Sequence, residues 1–164
     1  MTTLKYLSAY PEQIQSRVLA MIASNQLGTH LAKRYPNRHN ITTDKQLFEY
    51  ISEIKADYLK NTPALSKAVF DSKIKVVQHA LGTHTHITRV QGSNLKSKNE
   101  IRIASLFKMT PPEFLRMIVV HELAHFKIKE HSKSFYQLCL HMEPEYMQLE
   151  FDLRLYLIYQ DLQV

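Results

Sequence analysis

Cysteine is nearly absent from this chain of 164 residues, and the single one, Cys139, has no partner for an internal disulfide. Neither an oxidising compartment nor a CxxC metal clip is implied. Glycine is almost as scarce. Gly28, Gly82 and Gly92 stand too far apart for a GxGxxG turn or a phosphate-cradling loop, which excludes nucleotide binding by those routes. No apolar run approaches the roughly 18 residues of a membrane helix, and Met1 to Tyr10 lacks the apolar stretch of a secretion signal. The expectation is a cytoplasmic protein with no membrane partner. Repeats, low-complexity tracts and Gly/Ser linkers are missing too, so residues 1–164 are read as one domain.

What is present is ordinary for a soluble globule: 45% hydrophobic and 22% charged residues, on a chain long enough to bury a core. The formal charge is +6 and unevenly placed. Lys67, Lys73, Lys75, Arg89, Lys96, Lys98, Arg102 and Lys108 fall in residues 66–110, where only Asp71 and Glu100 are acidic. Such a segment either attracts phosphate-bearing partners through its summed field or protects a solvated sheet edge with lysines.

Apolar spacing divides the chain into a mainly helical part, 1–64, and a mixed part, 65–164. Ile14, Val18, Met21 and Ile22 recur at helical intervals between Pro11 and Gln26, with Gly28 as terminator. Thr43 precedes a second helix through Leu47, Ile51, Ile54 and Leu59, broken at Asn61-Thr62-Pro63. Ser72 opens a short helix through Ile74, Val77 and Leu81, closed by Gly82. Residues 84–91 and 100–107 read as a hairpin-like pair of strands, with Ala64 to Asp71 as a third strand. Thr110-Pro111-Pro112-Glu113 has the pattern of a capping box and starts a helix to about Ile128. That helix is apolar around most of its circumference, so it should be central and buried. Helices from Ser132 to Met142 and from Pro144 to about Gln160 complete an α+β fold.

Within the buried helix stands His121-Glu122-Leu123-Ala124-His125, an HExxH. Chance at this composition gives roughly 0.03 such matches per chain. Residues four apart share a helix face, so both imidazoles can reach one ion, at ~2.0–2.1 Å if it is zinc. Glu122, one residue round from His121, projects beside the ion, where a carboxylate can accept a proton from water activated there. A catalytic zinc keeps three protein ligands. His131, where one helix should end and the next begin, is the candidate third; Glu145 and Glu150 are runners-up, otherwise solvated helix residues. The spacing HExxHxxxxxH is shared with metzincins, but their turn glycine is here Ile128. Met142 and Met147 read as core rather than as a methionine turn. His84 and His86 form a weaker second pair, since alternate strand residues share a face. Cys139 lies with Phe135, Leu138 and Met142 on an apolar face, and the tyrosines and leucines from Tyr146 to Tyr159 are spaced for packing.

Val119-Val120-His121-Glu122-Leu123-Ala124-His125 followed by His131-Ser132-Lys133-Ser134-Phe135-Tyr136 resembles the YgjP-like metal-dependent hydrolases, relatives of the WLM and SprT-like zincins. The likeness extends through Leu81-Gly82, Arg89 to Ser93 and Glu100-Ile101-Arg102-Ile103. It also covers Tyr10-Pro11-Glu12-Gln13 and Leu31 to Pro36, and so nearly the whole chain. It implies a zincin-like fold with a helical N-terminal region, a small sheet, a central HExxH helix and C-terminal helices. His121, His125 and His131 would be ligands of Zn2+ or another divalent metal, and Glu122 the general base. Many broader-family members carry Arg-Trp-Gly-Ser-Cys where this chain has Arg89-Val90-Gln91-Gly92-Ser93, and no residue is assigned to substrate binding. Zincins cleave peptide bonds, whereas the YgjP-like label also carries a nucleoside triphosphate (UTP) pyrophosphohydrolase assignment.

The leading expectation is therefore a zinc-dependent, metallopeptidase-like hydrolase whose substrate is a polypeptide or a nucleoside triphosphate. A UTP pyrophosphohydrolase using the same centre is the alternative, and its polyanionic substrate suits the basic middle segment better. A basic nucleic-acid-binding module with a structural metal is a further alternative. No oligomeric state is assigned.

Overall fold

The computed structural model describes residues 2–74 and 99–164. A 3-10 helix at Thr2–Leu7 is followed by α1 (Glu12–Ala23), α2 (Leu27–Arg34) and α3 (Asp44–Tyr58). Strands β1 (Lys67–Asp71) and β2 (Glu100–Ala104) come next, then a 3-10 turn at Ser105–Lys108 and helices α4 (Pro112–Ala124), α5 (Lys133–Met142) and α6 (Tyr146–Leu162). Among the described residues, six α-helices beside a two-stranded sheet make this an α+β fold.

The first predicted helix ends sooner than expected, and a second begins where the first was to stop. Asn25, at φ 61°, supplies the left-handed residue that was assigned to Gly28; asparagine tolerates that conformation at modest cost. Gly28 lies instead in the first turn of α2, where a Cβ would sit 2.6 Å from the Tyr159 ring. Its missing side chain is what lets α2 and α6 close on each other. Helix α3 follows the sequence reading: the Thr43 hydroxyl accepts from Gln46 N at 3.1 Å while Gln46 Oε1 accepts from Thr43 N at 3.1 Å, a reciprocal capping box.

The pairing among the described residues is parallel. β1 runs parallel to β2, from Lys67 opposite Glu100 to Asp71 opposite Ala104. The predicted strand 100–107 stops at Ala104, where the chain tightens into the 3-10 turn that buries Phe107. Its expected hairpin mate at 84–91, the helix beyond Ile74, His84, His86, Lys75, Arg89, Lys96 and Lys98 lie outside the described residues. Of the basic residues that are described, Arg102 is ion-paired with both Glu100 and Asp71. Its charge is compensated rather than offered to a partner.

Helix α4 is central. It packs on β2, α3, α5 and α6, and every residue from Phe114 to Ala124 except Arg116 is buried. Its N-terminus departs from the expected capping box. The helix starts one residue later, with Pro111 at the cap and Pro112 in the first turn, and Thr110 donates its hydroxyl to Phe107 O and Pro111 O instead. It also ends at Ala124 rather than Ile128, where Phe126 N, Lys127 N and Ile128 N bond back to Leu123 and Ala124 in tight turns. The core runs from Tyr6 and Leu7 to Ile158. Met142 belongs to it, but Met147 faces outward and is 46% exposed, because α6 buries the face carrying Tyr146 and Leu149. No described helix is long and apolar enough to cross a membrane.

Candidate metal centre

A helix as apolar as α4 can bury His121 and Glu122, 4% and 2% exposed, only if their polar atoms are satisfied. His121 lies in the last turn of α4, and His125, four positions on, is the C-cap of that helix. The chain then reaches His131 through turns, and no residue of that segment has positive φ, so the turn glycine of metzincins is not required. Helix α5 begins directly afterwards, with Ser132 as its cap accepting from Phe135 N at 3.3 Å. That cap holds His131 at the junction.

The three imidazoles meet through the same atom. His131 Nε2 lies 3.2 Å from His125 Nε2 and 3.3 Å from His121 Nε2. Two nitrogens bound ~2.0–2.1 Å from one tetrahedral zinc are roughly 3.3 Å apart, so the spacing fits a shared ion. The hydrogen bonds at the other ring nitrogens agree. His125 Nδ1 lies 2.9 Å from the Ile128 carbonyl, which can only accept, so Nδ1 carries the proton and Nε2 presents a lone pair. His121 Nδ1 lies 2.8 Å from the Tyr146 hydroxyl, which donates to Glu150 Oε2 at 3.1 Å. That hydroxyl therefore accepts from Nδ1–H, and His121 Nε2 also presents a lone pair. Lone pairs brought this close repel one another unless a cation lies between them. The donor set fits a divalent metal that accepts imidazole.

Phe135 of α5 supports all three rings, with centroids 5.1, 4.5 and 4.9 Å from those of His121, His125 and His131. Glu145 is exposed, as expected of a solvated helix residue. Glu150 is not solvated: it is buried, holding the Tyr146 hydroxyl and the Arg154 guanidinium, with Arg154 Nη1 at 3.3 Å. Burial, followed by the Glu150 charge, keeps the Tyr146 hydroxyl well above the usual phenol range, so it stays a donor. Cys139 is fully buried and its thiol is pushed up chiefly by burial, in keeping with a core residue.

The family described as YgjP-like, metallopeptidase domain, matches residues 22–156, a span that holds all three imidazoles and Glu122. The chain belongs to the YgjP-like family. A UTP pyrophosphatase of Escherichia coli (strain K12) is 55% identical over 157 residues, covering 96% of this chain and 94% of that protein. No solved structure matches. Membership places this YgjP-like chain among the metal-dependent hydrolases.

Sequence reasoning passed over Tyr146 and Phe135 as parts of the site and weighed Glu150 only as a runner-up metal ligand. A signal was available: Tyr146, Glu150 and Arg154 recur every four residues, which places their polar groups on one helix face.

Proposed function

We propose that this protein hydrolyses a nucleoside triphosphate to the monophosphate and pyrophosphate at a zinc ion held by His121, His125 and His131, with Glu122 as general base. The substrate class rests on one observation, the 55% identity to a UTP pyrophosphatase along almost the full length of both chains. It puts the nucleotide ahead of the polypeptide that the HExxH pattern first suggested. The metal assignment is supported by the converging Nε2 atoms.

When bound, the ion supplies a Lewis acid that favours a nucleophilic water and offsets charge building on phosphate oxygen. Glu122 takes one proton from the attacking water. The water oxygen bonds to phosphorus, the α–β anhydride bond breaks, and its electron pair leaves with pyrophosphate. The proton passes to the products or solvent. Among the described residues, Lys67 of the basic segment is exposed, and its charge adds to a field that attracts a triphosphate.

The peptidase reading keeps support from the family's description as a metallopeptidase domain. One comparison separates the two. Metal-loaded protein is assayed on UTP, on other nucleoside triphosphates and on unfolded polypeptide, with Glu122→Gln as control. Pyrophosphate release from UTP should fall by about 10²–10⁴-fold in the variant while metal content stays near that of the parent. Undiminished turnover would remove Glu122 from the mechanism. Peptide cleavage without nucleotide turnover would restore the peptidase.

A further inference from the structure

We infer that Tyr146, Glu150 and Arg154 are a positioning relay built into α6, which fixes the tautomer and ring orientation of His121 and strengthens its grip on the metal. The inference rests on the reading of His121 as a ligand and adds residues that the comparisons do not assign.

The three side chains stand four residues apart on one helix face, and all are buried: Tyr146 at 0%, Glu150 at 9% and Arg154 at 4% exposure. Contact continues from one to the next. Arg154 Nη1 is 3.3 Å from Glu150 Oε1 and 3.1 Å from the Glu150 carbonyl; Tyr146 donates to Glu150 Oε2 at 3.1 Å and accepts from His121 Nδ1 at 2.8 Å. The guanidinium also lies 5.1 Å from the Tyr10 ring, while its Nε is buried without a hydrogen-bond partner.

As a stabilising device this is a poor arrangement. Removing an ion pair from water costs about what the pair regains, and an orphaned guanidinium N–H adds a further cost, so apolar residues at 150 and 154 would hold α6 equally well. Toward His121, however, each part has a use. The Glu150 carboxylate compels the Tyr146 proton to point away from the ring. The phenol oxygen is left to accept Nδ1–H, which keeps Nε2 free for metal and raises its donor strength. Arg154 pairs with the buried carboxylate and bonds the Glu150 carbonyl, which fixes the carboxylate beside the phenol. Partners of this kind behind a metal-bound histidine contribute about 10–100-fold to metal affinity.

The test measures Zn2+ affinity by chelator competition at neutral pH, alongside the melting temperature of the metal-free protein. Tyr146→Phe removes one oxygen and keeps the ring. Zinc affinity should drop tenfold or more; a smaller change overturns the relay, including the case in which only the metal-free melting temperature falls, as a purely structural tyrosine would give. The double variant Glu150→Gln, Arg154→Leu removes both charges together and should weaken zinc in the same direction if Tyr146→Phe fails to fold. Unaltered affinity there overturns the relay too. His121→Ala separates the two levels. If it loses zinc while Tyr146→Phe does not, the relay fails and the proposed centre stands; if His121→Ala retains zinc, the centre itself fails.

Discussion

His131 completes the centre, since its Nε2 lies within 3.3 Å of the Nε2 atoms of both His121 and His125. Helix periodicity brings His121 and His125 to one face without help, but two imidazoles are one ligand short of a catalytic zinc site. His131→Ala should therefore reduce bound zinc well below one ion per chain after dialysis, as read by metal analysis. Stoichiometric retention would transfer the third position to another donor. Cys139 illustrates the opposite case, a metal-capable side chain outside the site. It is fully buried, and burial raises its thiol above the usual range, so the thiolate that reacts with alkylating reagents is suppressed at neutral and mildly alkaline pH. Native protein should resist iodoacetamide at a pH where urea-unfolded protein is fully alkylated, and mass spectrometry distinguishes the two. Rapid labelling of the folded chain would show that the α5 face opens.

At the scale of elements, the helix ends determine where side chains are delivered. Ser132 caps α5 immediately after His131, so Ser132→Ala should cost about 1 kcal/mol of stability and also loosen zinc, because the residue beside it loses its anchor. Thr43→Ala, in a capping box remote from the site, should cost a similar amount and leave zinc affinity unchanged. Paired thermal and zinc titrations of the two variants check this; equal zinc affinity in both would detach the cap from the centre. The same elements show what was legible beforehand. Helices α3, α4, α5 and α6 were readable because apolar periodicity acts within one segment, helped at α3 and α5 by the side-chain caps Thr43 and Ser132. The α1–α2 break was not, since Asn25 rather than glycine takes the left-handed position and the reason for Gly28 is Tyr159, distant in sequence. Parallel pairing of β1 with β2 was equally hidden, because register depends on contacts between segments and not on either strand's pattern. The histidines were legible because metal chemistry dictates their spacing. Tyr146 was not, as a tyrosine in an apolar stripe differs from a packing residue only through the partner its hydroxyl meets.

For the whole molecule, the centre links α4 to the start of α5 and, through Tyr146, to α6, so an ion bound there should stabilise the folded chain by mass action. At a free zinc concentration 100 times the dissociation constant the gain is about 2.7 kcal/mol, seen as a rise in melting temperature that a chelator reverses. No rise with added zinc would exclude binding coupled to folding. A second dependence comes from the tyrosines spread through the fold. Burial is the foremost cause raising Tyr6, Tyr10, Tyr35, Tyr50, Tyr136, Tyr146 and Tyr156 above their usual value of 10.0, with Tyr136 pushed up to about 12. Asp161 reinforces the shift at Tyr6 and Asp152 at Tyr35, each accepting that phenol's proton. Above pH 10.0 the unfolded chain releases these protons while the folded chain keeps them, so the folded state binds more protons and its stability declines as pH rises. Below that point the contribution is fully present. Melting temperature should accordingly be flat approaching pH 10 and fall steeply from there toward about pH 12. The phenolate absorbance of these seven tyrosines should appear together with loss of helix rather than ahead of it, whereas their ionising near pH 10 with the helical signal intact would show that these hydroxyls are open to solvent.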